Sequence, residues 1–179
     1  IVNVHRNRIF TNDAVGQYWS AFFAWPTNIV EWKGLTGIVM PFYDKKFFFS
    51  GVAVSWPFIK NGQEKNGKWF SSAKLINRFV PADQKGSFLD RLHMCLKIAR
   101  AMRRLHAAGL AHSDLSYNNV LVDPLSGNAC IIDCDGLVVP HKFPPEVVGT
   151  PGFIAPEVLA TKALRIDDPK KNLPKIDTD

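Results

Sequence analysis

The sequence predicts an α+β fold. Three observations carry this. GIVMPFY (Gly37 to Tyr43) is a short apolar run with β-branched character, bounded by a glycine and by charged residues, and reads as a buried strand running into a linker. SFLDRLHMCLKIARAMRRLHAAG repeats apolar residues at the spacing of one helix face. Behind it, NVLVD and ACIID are two apolar runs joined by a Pro/Gly turn, which is the pattern of a β-hairpin.

Each element has a local reason. After the first strand, NGQEKNGKW (Asn61 to Trp69) is polar and punctuated by glycine, hence a loop. The aromatic-rich stretch from Phe47 to Trp69 reads as a packed insertion rather than a binding face. In the long helix, Leu92, Cys95, Ile98, Ala99, Met102 and Leu105 make one apolar stripe. Ser87 can cap its start with Asp90 in the first turn, and Gly109 suits the left-handed stop at its end. Arg91, Lys97, Arg100, Arg103 and Arg104 read as its solvated face, not as a nucleic-acid surface. The hairpin turns at Pro124 to Asn128, so its pairing brings Asp114 and Asn119, before the first strand, close to Asp133, at the exit of the second.

With 179 residues, 46% of them hydrophobic, the chain can bury a core of its own. A net charge of +6 admits an anionic partner such as a nucleotide phosphate without requiring one. Three cysteines without paired short spacing argue against a disulfide framework and read as reduced thiols of a cytoplasmic protein. Cys130 and Cys134 lack the second pair that a zinc site needs. No apolar stretch is long enough for a transmembrane helix; FFFSGVAVSWPF comes closest and is broken by Pro57. The first residue is Ile1 and no signal peptide follows, so the chain is expected to start inside a longer gene product.

Two carboxylates and an amide converging on one spot suit a hard cation, because Mg²⁺ takes oxygen ligands and prefers few carboxylates alongside phosphate oxygens. A further carboxylate there can accept a proton from an attacking hydroxyl. HSDLSYNN (His112 to Asn119) resembles the protein-kinase catalytic loop H-R-D-L-x-x-x-N, and IIDCDG falls where that family has D-F-G. GTPGFIAPE (Gly149 to Glu157) is similar to the end of the kinase activation segment. The three motifs stand in the family's order behind a helix ending LHAAGLAHSD.

The resemblance implies a protein-kinase-like fold with a partial β-rich N-lobe and a mainly helical C-lobe, divided near the hinge into residues 1–42 and 43–179. It implies ATP and Mg²⁺ as cofactors and transfer of the γ-phosphate to a Ser/Thr hydroxyl of a protein substrate. Asp114 takes the place of the catalytic base, with Asn119 beside it. Asn119 and Asp133 take the metal places, and Asp135 of DCD is a further candidate ligand or a cap of the turn. Met40 stands in the gatekeeper place, the Pro41 carbonyl and Tyr43 amide would meet the adenine, Leu121 would lie beneath it, and Ile132 precedes the metal aspartate. FAWPTNIVEW suits the fourth strand and its approach. Glu157 would pair with an arginine beyond this chain, and Asp179 would begin a buried helix.

Departures from the pattern carry their own expectations. Ser113 replaces the arginine that answers an activation-loop phosphate, and LVVPHKFPPEVV, between Gly136 and Gly149, holds no Ser, Thr or Tyr. Activity independent of activation-loop phosphorylation follows. Ser116 stands where Ser/Thr kinases place a lysine, which resembles RIO-type and aminoglycoside-phosphotransferase loops. The mixture resembles the atypical, bacterial branch of eukaryotic-like kinases, some associated with tellurite resistance. No G-x-G-x-x-G precedes the hinge, and Lys33 sits too near it to be the ATP-anchoring lysine, so the chain reads as part of a longer kinase. A pseudokinase-like scaffold and a small-molecule kinase are the alternative readings.

Overall fold

The chain is described from a computed structural model covering residues 13–139, 149–165, 167–172 and 174. Ile1, Asp179 and most of the segment between Gly136 and Gly149 lie outside the described residues. The described elements are α1 (Asp13–Ser20), β1 (Asn28–Trp32), β2 (Leu35–Val39), α2 (Ala73–Phe79), α3 (Phe88–Ala107), β3 (Ala111–His112), β4 (Val120–Asp123), β5 (Asn128–Ile131), β6 (Leu137–Val138) and α4 (Pro156–Ala160). Helices and small antiparallel sheets make this an α+β protein.

The β4–β5 hairpin is the platform of the fold. Its strands pair antiparallel from Val120↔Ile131 to Asp123↔Asn128, and nearly every residue in them is buried. Further chain segments extend it on both edges. Phe23 bridges Ile131 in parallel, with Ala24 N–H donating to the Ile131 carbonyl at 2.9 Å and Ile131 N–H to that of Phe22 at 2.8 Å. On the other edge Asn66 bridges Leu121, and Val122 N–H donates to the Lys65 carbonyl at 2.8 Å. Beyond that, Phe48 bridges Glu64. The aromatic-rich insertion is therefore woven into the platform, and Phe49, Val52, Ile59 and Val80 form a buried cluster of its own.

Helix α3 lies against the hairpin. Ser87 and Asp90 form a complete capping box: Ser87 Oγ accepts from Asp90 N–H at 3.1 Å, and Asp90 Oδ2 accepts from Ser87 N–H at 2.8 Å. Gly109 takes a φ of 76° just past the end, as the left-handed stop requires. The buried face differs from the expected stripe. Of the stripe, Leu105 is buried and Ile98 and Met102 pack half-buried against the core, whereas Leu92, Cys95 and Ala99 are exposed; Met94 and Ala101 complete the buried face. The sequence offers two apolar faces, and the hairpin turn selects between them. Gly127 comes so close that a Cβ there would sit 2.8 Å from the His93 Cβ, and Lys97 donates to the Asn128 side chain.

The β1–β2 hairpin turns at Lys33 and Gly34, whose φ values of 50° and 77° are those of a type I′ turn. The expectation of a strand before the hinge holds, but not its burial. Ile29, Val30, Trp32, Leu35, Ile38 and Val39 are all exposed. These strands pair only with each other among the described residues, so apolar alternation gives strand geometry with no layer to cover it.

Gly86, which leads into α3, has a φ of +62°, and a Cβ there would fall 2.0 Å from the Pro124 carbonyl oxygen. Gly51 shares the sign of φ (+68°) but faces open space. Gly51→Ala should cost about 1–2 kcal/mol for the left-handed backbone alone. Gly86→Ala should cost roughly 2–4 kcal/mol, because the hairpin turn must also move. Urea titration of both variants checks this; equal losses would show that the turn yields freely.

Candidate active site

Asp114 is held from two directions. Its Oδ1 accepts from the Thr150 backbone N–H at 2.7 Å and from the Thr150 hydroxyl at 2.6 Å. Its own backbone carbonyl accepts from Asn119 Nδ2 at 2.7 Å, and the same amide nitrogen lies 3.4 Å from Oδ2. The carboxylate is thus oriented through one oxygen, while the second carries only the longer contact. Half-buried Asp114 remains open to an acceptor group.

His112 ties this loop to the next. Asp114 N–H donates to its Nδ1 at 3.3 Å, so the ring hydrogen is on Nε2, which faces the buried Ile132 carbonyl at 3.4 Å. Ser113 donates twice to the Gly136 carbonyl, from its amide at 2.9 Å and its hydroxyl at 2.7 Å. Below them β3 pairs with β6. Ser116, the residue in the lysine place, is buried, and its hydroxyl accepts from Asn118 N–H at 3.3 Å to cap the 3₁₀ turn Tyr117–Asn119. It stabilises the loop locally and does not reach out from it.

The hairpin brings the metal candidates to one end. Ile132 N–H donates to the Asn119 carbonyl at 3.0 Å, so Asp133 follows directly on the residue paired with Asn119. Asp133 is exposed, adopts the left-handed conformation (φ 61°, ψ 52°) and stands at the start of the 3₁₀ turn Cys134–Gly136. Asp135 lies inside that turn rather than at its cap. Asn119 uses its amide nitrogen on Asp114, which turns the amide oxygen into the atom available to a cation. Among the described residues no group of three or more His, Cys, Asp or Glu gathers.

A cleft of about 230 Å³ is lined by Pro41, Tyr43, Phe47, Phe23, Ala24 and Cys130 among others. Of the residues expected around a base, Pro41 and Tyr43 line it. Met40, Leu121 and Ile132 fall in the apolar cluster that also holds Ala24, Phe47 and Cys130. Leu121 is wholly buried there. The volume is below the roughly 300–1,000 Å³ of drug-sized ligand pockets. Burial, with Glu64 nearby, raises the Tyr43 phenol above its ordinary pKa.

Residues 72–170, more than half of the chain, match the family model described as Protein kinase domain. The chain belongs to the protein kinase domain family. It is similar to the dual specificity testis-specific protein kinase 1 of Rattus norvegicus, 42% identical over 99 residues that make up 50% of this chain and 16% of that protein. The dual serine/threonine and tyrosine protein kinase of Apis mellifera is 34% identical over 74 residues, 41% of this chain and 8% of its own length. The serine/threonine-protein kinase dkf-2 of Caenorhabditis briggsae is 33% identical over 89 residues, 46% and 8%. The chain thus spans under a fifth of the length of these kinases. No solved structure matches it. No helix among the described residues is long and apolar enough to cross a membrane.

Two features of this kinase site escape a reading of its motifs. Thr150 supplies both donors to Asp114, although the two residues stand 36 apart. Its place in G-T-P-G is visible in the sequence, but its bond is not. Cys130 lines the cleft because its strand alternation points it away from α3.

Burial pushes the Cys130 thiol from its ordinary 9.0 up to about 12. The folded state therefore favours the protonated thiol; this contribution is intact below pH 9 and is lost as pH rises toward 12. Iodoacetamide at pH 8 should label the exposed Cys95 and spare the buried Cys130 and Cys134. Intact mass should show one adduct on the native chain and three in urea; rapid native labelling at Cys130 would contradict its burial.

Proposed function

We propose that this kinase domain takes part in ATP- and Mg²⁺-dependent transfer of a phosphoryl group to a Ser/Thr hydroxyl of a protein, with Asp114 as the base. The observation that carries this reading is the half-open Asp114 carboxylate, fixed on one oxygen by Thr150 and adjacent to Asn119. With Oδ1 occupied, Oδ2 is the atom that orients an acceptor hydroxyl and takes its proton as the oxygen attacks. Magnesium-bound ATP, when bound, supplies the phosphoryl group and neutralises its charge. The Asn119 amide oxygen and the Asp133 carboxylate are the residues that would hold the ion, with Asp135 a further candidate. The Pro41 carbonyl and Tyr43 amide would orient the base in the cleft, over the cluster containing Met40, Leu121 and Ile132.

A protein acceptor fits the exposed stretch Pro151–Phe153, which leads from Thr150 toward α4. Phe153 packs edge-on against Tyr117 of the catalytic loop, ring centroids 4.9 Å apart, and so joins an open surface to the base. Residues 1–42 read as the part of the small lobe that ends at the hinge, and 43–179 as part of the large lobe. Three free cysteines support a reducing, cytoplasmic setting. Independence from activation-loop phosphorylation rests on Ser113 and on the absence of hydroxyl side chains between Gly136 and Gly149.

Phosphate transfer from ATP to a protein acceptor, measured with and without Mg²⁺, tests the reading. Asp114→Asn should lower the rate by about 10²–10⁴-fold and leave nucleotide binding in place. Asp133→Asn should remove the part of nucleotide affinity that depends on Mg²⁺. A wild-type rate unchanged by Asp114→Asn would sink the assignment of the base.

A further inference from the structure

We propose that Ser113 is a positioning residue, whose hydroxyl latches the turn after Asp133 to the catalytic loop. The proposal rests on the kinase reading above for its meaning, but its geometry stands by itself. The Gly136 carbonyl receives two hydrogen bonds from one residue, from the Ser113 amide at 2.9 Å and from the Ser113 hydroxyl at 2.7 Å. The first continues the short β3–β6 ladder, Ala111↔Val138 and His112↔Leu137, by one residue. The second adds a side-chain bond at the point where that ladder ends and the turn Cys134–Gly136 begins.

Ser113 also meets a third segment. A Cβ on Gly149, whose φ is +103°, would lie 2.6 Å from the Ser113 carbonyl oxygen. Gly149 therefore rests directly on Ser113, and the next residue, Thr150, makes both donations to Asp114. One small residue thus touches the metal turn on one side and the segment that orients the base on the other. A short hydroxyl side chain suits this because it reaches only the adjacent backbone. A Cβ on Gly136 would come within 3.3 Å of the Ser113 Oγ, which shows how little room the contact leaves. The latch forms from the sequence as translated, so the turn bearing Asp133 and the loop bearing Asp114 hold their relation without a phosphate.

Hydrogen exchange with mass spectrometry on wild type, Ser113→Ala and Ser113→Thr tests the latch. Ser113→Ala should speed exchange over residues 136–138 by roughly 3- to 10-fold, the effect of one neutral hydrogen bond. Exchange in α3 should not change, and Ser113→Thr, which keeps the hydroxyl, should restore wild-type protection. In parallel, ADP titrations with Mg²⁺ and with EDTA should show Ser113→Ala weakening only the Mg²⁺-dependent affinity, by a similar factor. Unchanged exchange at 136–138 in Ser113→Ala, or a Ser113→Thr variant that behaves like Ser113→Ala, would overturn the proposal. Should Ser113→Ala fail to fold, Ser113→Cys keeps the size with a weaker donor, and its exchange at 136–138 is read in the same way. Should wild type bind ADP with no contribution from Mg²⁺, the metal reading fails, and exchange alone still decides the latch.

Discussion

The site depends on the register of one antiparallel pair, β4 with β5. Because the Val120↔Ile131 pairing places the Asn119 carbonyl opposite Ile132 N–H, the residue before β4 and the residue after β5 meet at one end. A slip of one position would reverse every side chain of that strand between α3 and the cleft. The register is held from several sides. Phe22–Ala24 clasps one edge, Lys65–Asn66 the other, and the turn is pinned on α3 where Gly127 meets His93. Burial reinforces this: Val120, Val122 and Ala129 pack with Met94, whereas Leu121, Cys130 and Ile132 face the cleft cluster.

From that platform the catalytic loop is built mostly of local bonds. Ser116 caps its 3₁₀ turn, Asn119 holds the Asp114 carbonyl, and His112 bridges Asp114 N–H to the Ile132 carbonyl. Most of these contacts span five residues or fewer, and the His112–Ile132 contact, 20 positions apart, returns to the end of the hairpin, so the loop can order once the hairpin has formed. The exception is Thr150, which returns across 36 positions to fix one carboxylate oxygen. Loss of that contact alone would leave Asp114 in place but free to rotate about its side-chain torsions.

The sequence made legible whatever is governed by short-range rules. Ser87 and Asp90 announce the start of α3, Gly109 its end, and the Pro/Gly turn between NVLVD and ACIID the hairpin. The hairpin reading also put Asn119 and Asp133 at one end of the paired strands, where the Ile132 N–H to Asn119 carbonyl bond has them. What it concealed depends on which surface meets which. The stripe of α3 continues from Leu105, Met102 and Ile98 to Leu92, Cys95 and Ala99 with no change in its apolar pattern, and only the hairpin's approach decides that the first three pack while the last three are exposed and Met94 and Ala101 are buried instead. GIVMPFY has the composition of a buried strand, yet nothing in composition says whether another layer covers it. The interleaving of residues 22–24 and 64–66 with the hairpin joins segments far apart in the chain, and no periodicity reports such pairings.

Two serines stand where the family's pattern has long cations, and the structure shows what replaces them. An arginine or lysine acts at a distance through a charge that salt screens, with a Debye length near 8 Å at physiological ionic strength. Ser113 and Ser116 act only within hydrogen-bond reach, on the Gly136 carbonyl and the Asn118 amide. A neutral bond of that kind gives less energy than a charged pair but needs no counter-charge, and it is present in every folded copy. Each of these two serine bonds is short-range and is made within the folded chain itself. Within His112–Asn119, HSDLSYNN, Asp114 is accordingly the one residue among Asp, Glu, Lys and Arg.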